Sequence, residues 1–284
     1  MNYYVTMEKE NFWAREFKKR GFGIVSFMEC ILGRFILGIH KEDVFFIIAS
    51  KKTLPLYKVI RMLYPHNTIL YWYWDSVDTG YPPNPETVLR DKNTSVYSFD
   101  QRDCKRFNMK YNSQFYCNNF LFDYGSHDGR QVDVFFVGSD KGRYQAIMDI
   151  KEQLEVQGIT CDFRVVKDKT STKDENRNYS EGMAYRKVIK RCTESKAIFD
   201  YCQEVQSGLS LRAMESLFLS TKLITTNADI EQFDFYNPNN IYIWGSNRTD
   251  TIKEFLSTPY EEVDSEIVKG YEFGVWYSRM MRRI

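Results

Sequence analysis

Apolar residues in this chain fall into short unbroken runs separated by stretches with helical spacing. Residues 44–49 (Val-Phe-Phe-Ile-Ile-Ala), 68–74, 96–99, 132–137, 160–166, 197–201, 222–226 and 241–244 read as strands. Runs of this kind, apolar at nearly every position, belong to strands covered on both faces. Between them, residues 56–64, 100–108, 144–157, 185–192 and 211–219 carry the 3.6-residue period of helices. Gly158 ends the third of these as a helix stop. Strands alternating with helices predict parallel sheets. Residues 167–180 are polar and charged and read as a loop, and the tail 263–284 reads as helical. Pro82, Pro83 and Pro85 mark a further loop.

A polar, Gly-containing break at 123–131 divides the pattern, which then starts again. The expected class is therefore α/β, with two Rossmann-like, doubly wound domains in tandem. The first spans 1–125 and the second 131–265, with 266–284 as a C-terminal helix crossing back to the first domain. In such sheets ligands bind at the carboxyl ends of the strands, and the expected site lies there and between the domains. Residues 22–39 form another helical segment, with Ile24, Phe27, Met28, Ile31, Leu32, Phe35 and Ile36 along one face. Glu29 and Arg34 interrupt it, so it reads as a buried or groove-lining helix, with membrane contact as the alternative.

The chain has 284 residues, enough for two domains of ordinary size. Its formal net charge of +1 creates no field that would favour nucleic acid. The six cysteines contain no Cys-x-x-Cys pair, which argues against a zinc ribbon or a disulfide scaffold and for reduced, cytoplasmic thiols. Three dispersed histidines do not make a metal site, and no secretory signal opens the chain.

Candidate chemistry gathers where predicted strands turn into helices. The run Gln206-Ser-Gly-Leu-Ser-Leu-Arg-Ala-Met-Glu215 leads a small-residue turn into a helix N-terminus. Unpaired amides there attract phosphate, and Arg212 adds a bidentate donor suited to a diphosphate. Glu215, one turn on, can accept hydrogen bonds from a ribose. The donor-binding set is completed by Gln206, Ser207, Gly208, Ser210 and Leu211. The alternative is a helix cap with surface charges, since Ser210 is a good N-cap residue. Gly138-Ser-Asp-Lys-Gly-Arg143 follows the first strand of the second unit. Gly138 allows close backbone approach there, Lys141 and Arg143 can meet phosphate, and Ser139 joins them in the donor-binding set. This loop also reads as an ordinary connection with solvated charges. Asp75 and Asp100 end first-unit strands and are the candidate catalytic carboxylates, with Asp103 beside them. A cap or turn residue is the alternative for each, and Asp100 has the look of an N-cap. Trp72 and Trp74 read as strand core, with stacking on a sugar as the alternative.

These runs resemble bacterial GT-B-fold glycosyltransferases of capsule and lipopolysaccharide biosynthesis. The features that carry the resemblance are the 138–143 loop, the 206–215 run, Lys222-Leu-Ile-Thr-Thr-Asn227 with the 235–241 segment, and Val96-Tyr-Ser-Phe-Asp-Gln-Arg-Asp103 with Tyr111 and Asn112. The resemblance implies an interdomain cleft, with the second domain holding a nucleoside-diphosphate-sugar donor and the first holding a growing polysaccharide or lipid-linked glycan. It implies Arg212 and the Ser210 amide at the diphosphate and Glu215 at the ribose. No Asp-x-Asp motif of the metal-carrying kind is present, so neither a metal nor a cofactor is expected. The N-terminus departs from the family in lacking the usual opening strand and Gly-rich loop. The expected function is sugar transfer in the cytoplasm, with peripheral contact to the inner membrane face through 22–39 and Arg279, Arg282 and Arg283. A solvated helix is the alternative for that basic end. Two other readings remain open: a pyruvyl or other group transferase, and a non-catalytic nucleotide- or glycan-binding protein.

Overall fold

The computed structural model describes residues 4–5, 40, 42–117, 132–172, 177–202, 207–246 and 251–283. The predicted helix over 22–39, the break at 123–131 and Gln206 lie outside the described residues. By backbone contacts the chain forms two compact units. One comprises Met1–Ser113, Val205–Gly208 and Arg279–Ile284, and the other Gln114–Glu204 and Leu209–Ser278.

The first unit is built on five parallel strands: β1 (Tyr4–Val5), β2 (Phe45–Ile48), β3 (Ile69–Tyr73), β4 (Thr94–Ser98) and β5 (Lys110–Tyr111). They lie side by side in chain order. β1 pairs in parallel with β2 through Tyr4↔Phe45, so the N-terminus does supply an opening strand, contrary to the sequence-based expectation. All five residues of β3 are buried, as a central strand covered on both faces requires. Alternate residues Phe45, Ile47, Ile69, Tyr71 and Tyr73 share one core with Tyr57, Ile60 and Tyr64. Tyr57 and Ile60 come from α1 (Leu54–Leu63) and Tyr64 caps its end; Pro55 sits in the first turn, where no intrahelical donor is lost. The opposite face buries Leu70, Trp72 and Tyr97, and the Tyr97 hydroxyl donates to the Met280 carbonyl at 3.3 Å. Trp72 is fully buried in β3, whereas Trp74, expected in the same strand, lies just past its end. A short helix, α2 (Glu86–Leu89), precedes β4, and α3 (Gln101–Phe107) follows it.

The second unit also holds five parallel strands: β6 (Val132–Ser139), β7 (Cys161–Val166), β8 (Ser195–Asp200), β9 (Lys222–Thr225) and β10 (Ile241–Ile243). Their order is β10-β9-β8-β6-β7. The chain moves outward from β6 to β7 and then returns to the other side of β6, so the order reverses between β6 and β8. Alternation along the strands feeds two cores. Val134, Phe136, Ala197, Phe199 and Ile224 pack with α4 (Tyr144–Val156) and α7 (Ile252–Ser257). Phe135, Ile198 and Leu223 pack on the opposite face with α5 (Tyr185–Thr193), α6 (Leu211–Phe218) and α8 (Ser265–Tyr271). Helices on both faces make this sheet doubly wound.

The tail is two helices rather than one. α8 stops at Glu272, where the backbone is extended, and α9 (Phe273–Met281) begins at once. The break is imposed by a distant segment. Tyr116 accepts from the Phe273 amide at 2.9 Å and donates to the Tyr271 carbonyl at 2.8 Å.

Candidate functional site

In a doubly wound sheet the loops that leave adjacent strands in opposite directions open a crevice at their carboxyl ends. In the second unit those strands are β6 and β8, and the crevice is bordered by the loops after Ser139 and after Asp200. β6 runs further than its sequence suggested and includes Gly138 and Ser139. The turn that follows uses left-handed backbone at Lys141 and Gly142. Asp140, fully buried, organises it. Its Oδ1 accepts from the Tyr144 amide at 2.9 Å and its Oδ2 from the Tyr179 hydroxyl at 2.7 Å. Those hydrogen bonds hold the Asp140 carboxyl below its usual range against the opposing effect of burial. Asp140 was not singled out from the sequence, although an Asp just ahead of a helical run is a capping signal. Lys141 is drawn to Asp168, which accepts from the Lys141 backbone amide at 2.9 Å.

Two arginines meet at this edge. Arg212, in the first turn of α6, donates through Nη2 to the Val137 carbonyl of β6 and lies 4.8 Å from the centre of the Phe136 ring. Its place depends on Gly138, because a Cβ there would lie 2.5 Å from Nη2 of Arg212. Arg143, just before α4, donates from Nη1 to the Tyr201 carbonyl beyond β8 and from Nη2 to the Ser139 carbonyl of β6 at 3.5 Å. Its Nε is buried without a hydrogen-bond partner. Burial, and then the charge of Arg212, lower the Arg143 pKa, while Asp200 opposes them. The two guanidinium groups thus repel each other, and among the described residues neither makes an ion pair with a carboxylate. An anion bound here would relieve that repulsion and accept bidentate hydrogen bonds. α6 points its N-terminus to the same edge. Ser210 caps it, accepting from the Ala213 amide at 3.1 Å, and the helix dipole adds positive character.

Glu215 does not share that exposure. It is 3% exposed, packed inside α6 against α5. Tyr185 donates a hydrogen bond to it, and the Tyr185 hydroxyl lies 3.0 Å from that of Tyr116. Burial raises the Glu215 pKa to about 7, with the Arg212 charge and the Tyr185 hydrogen bond pulling the other way. The expected ribose contact needs an open carboxylate, so the structure corrects that role.

Ser207 and Gly208 belong to the first unit. Ser207 donates its amide to Asp100 Oδ2 at 2.9 Å and its hydroxyl to Oδ1 at 2.7 Å. Asp100, fully buried, also caps α3 by accepting from the Arg102 and Asp103 amides. With both oxygens engaged, Asp100 is a structural cap and a holder of Ser207, which removes it as a candidate base. Asp103 accepts from the Val77 amide at 2.7 Å, and burial raises its pKa. Asp75 is different. It follows β3, is half-buried, and has no hydrogen-bond or ion-pair partner among the described residues.

Among the described residues no cluster of His, Cys, Asp and Glu could hold a metal ion, and no helix is long and apolar enough to cross a membrane. No family model matches the chain, and no curated sequence is similar to it. Among solved structures the chain is similar to a Listeria monocytogenes protein assigned as a UDP-N-acetylglucosamine 2-epimerase. The TM-score is 0.41 at 11% identity, with 98% of this chain and 80% of that one covered.

Proposed function

We propose that this chain is a glycosyltransferase that moves a sugar from a nucleoside-diphosphate-sugar donor to a growing cell-surface polysaccharide or lipid-linked glycan. The observation that carries this reading is the Arg143–Arg212 pair at the carboxyl edge of the second sheet. Two guanidinium groups that make no ion pair with a carboxylate among the described residues, beside a helix N-terminus, match the charge and the hydrogen-bonding demand of a diphosphate. In the reaction the bond between the anomeric carbon and the diphosphate oxygen breaks, and a bond to an acceptor oxygen forms. The leaving diphosphate gathers negative charge, which the arginine pair and α6 stabilise in the role a metal ion plays elsewhere. The acceptor hydroxyl loses its proton to a general base, for which Asp75 is the candidate because its carboxylate has no hydrogen-bond or ion-pair partner among the described residues. The capsule or lipopolysaccharide setting, and contact with the membrane face, belong to the same proposal and derive from the family resemblance.

Calorimetry with UDP, GDP and CMP tests this reading on the wild type and on Arg143→Gln and Arg212→Gln. Binding of one nucleotide, weakened at least tenfold in both variants, is the expected result. Absence of binding by all three, with binding of phosphoenolpyruvate instead, would replace sugar transfer by pyruvyl transfer at the same arginines.

A further inference from the structure

Glu215 lies one helical turn from Arg212 on α6, and the fold closes around it. From α5 it meets Tyr185, which donates to it, and Cys192, whose thiol pKa burial and the Glu215 charge raise. From the segment before β6, Tyr116 reaches the Tyr185 hydroxyl. From β8, Asp200 adds a second negative charge. α8 presents apolar Ile267 and Val268, while its Glu266 and Lys269 pair with each other at the surface. Of the charges that act on Glu215, Asp200 is negative and Arg212 is positive. The Arg212 guanidinium donates to the Val137 carbonyl, and among the described residues it makes no ion pair with Glu215. A carboxyl placed in this way acts on Arg212 through the field inside the protein rather than by direct contact.

We propose that Glu215 is a positioning residue that acts through Arg212: ionised, it offsets part of the arginine charge, and protonated, it leaves that charge to an anion held by Arg143 and Arg212. This inference rests on reading the arginine pair as the anion site. The sign follows from linkage. A bound anion adds negative charge near Glu215, favours its protonated form, and so takes up a proton. Anion affinity then rises as the pH falls through the range in which Glu215 titrates, near 7.

Sulfate is a suitable probe because its charge is constant from pH 6 to pH 8. It is titrated into the full chain while the arginine side-chain Nε–Hε resonances are followed by NMR. The wild type is expected to bind sulfate about fivefold more tightly at pH 6 than at pH 8, the part of the tenfold limit for one pK unit of coupling that falls in this window. Glu215→Gln, which cannot ionise, is expected to hold the tighter value at both. Tyr185→Phe removes a hydrogen bond that favours the charged form, so its transition should move to higher pH. A wild-type pH profile unchanged in Glu215→Gln overturns the inference and leaves the anion site standing. Should Glu215→Gln not fold, an unshifted transition in Tyr185→Phe overturns it equally. Shifts in the wild type that do not saturate, and that persist in Arg212→Gln, remove the anion site and this inference together.

Discussion

The guanidinium of Arg212 fills the space that a side chain on residue 138 would occupy, 2.5 Å from where the Cβ would stand. β6 therefore carries a glycine next to its last residue for the sake of a residue more than seventy positions later. The atom in conflict is the far end of a flexible side chain, so the fold can yield to Gly138→Ala by moving Arg212. Phe136 Cζ, at 3.2 Å, need only give slightly. Stability is expected to drop by no more than about 1 kcal/mol. Nucleotide or sulfate affinity should fall about tenfold, since Arg212 is displaced from the edge it shares with Arg143. Urea unfolding and calorimetry on the same variant separate the two effects. A large loss of stability with affinity intact would show that Gly138 serves packing alone.

Gly208 presents the opposite case. A Cβ there would lie 2.3 Å and 2.6 Å from two ring atoms of Phe99 and 2.6 Å from the Phe99 carbonyl oxygen. A backbone oxygen cannot swing aside as a guanidinium does. Gly208→Ala is expected to destabilise the chain by about 1–3 kcal/mol, the range for forced overpacking. The urea midpoint measures this directly, and a midpoint equal to the wild type would refute the packing of residues 207–208 against Phe99.

The sequence made some of this legible and hid the rest for identifiable reasons. β3 and β6 were readable because strands covered on both faces are apolar without interruption. Ser210 was readable as a cap from its type and place alone. β1 and β5 are two residues each, too short for any period to show. Gly270 and Gly274 flank the break at Glu272, but its place is set by Tyr116 through backbone pairing across more than 150 residues. Arg143 and Arg212 were legible together as members of one phosphate-binding set at strand-to-helix transitions, and the order of β6 and β8 is what brings their loops to one edge. Glu215 was misread as open. Met214, Leu217 and Phe218 flank it on α6, and that apolar stripe was a sign of burial.

Asp75 and Asp100 looked equivalent in sequence, and the fold separates them. Asp100→Asn places an amide donor where Ser207 now donates from both its amide and its hydroxyl. That mismatch of buried donors should lower stability by about 1–3 kcal/mol. Asp75→Asn removes a carboxylate that has no partner among the described residues, so stability should stay within about 0.5 kcal/mol of wild type. Turnover of Asp75→Asn should fall by about 10²-fold or more if it is the base. Paired urea and nucleotide-release measurements decide the matter, and full turnover by Asp75→Asn would exclude it from the mechanism.

Glu215 also leaves a signature in stability that needs no ligand. Its pKa stands at about 7 in the folded chain against an ordinary 4.5, because burial disfavours the charge. A group raised in this way contributes stability that is fully present below its unfolded value and is lost as the pH rises through the folded one. Wild-type stability should therefore fall between pH 4.5 and about 7 relative to Glu215→Gln, by on the order of 3 kcal/mol across the window. Carboxyls such as Asp140 and Asp168 are held low by hydrogen bonds and act in the other direction, losing stability as the pH falls. They are common to both proteins and cancel in the difference. Unfolding free energies at pH 4.5, 5.5, 6.5 and 7.5 supply the curve. A difference that is flat with pH would mean that the interior of α6 holds Glu215 already ionised, with Arg212 supplying enough field to keep it so.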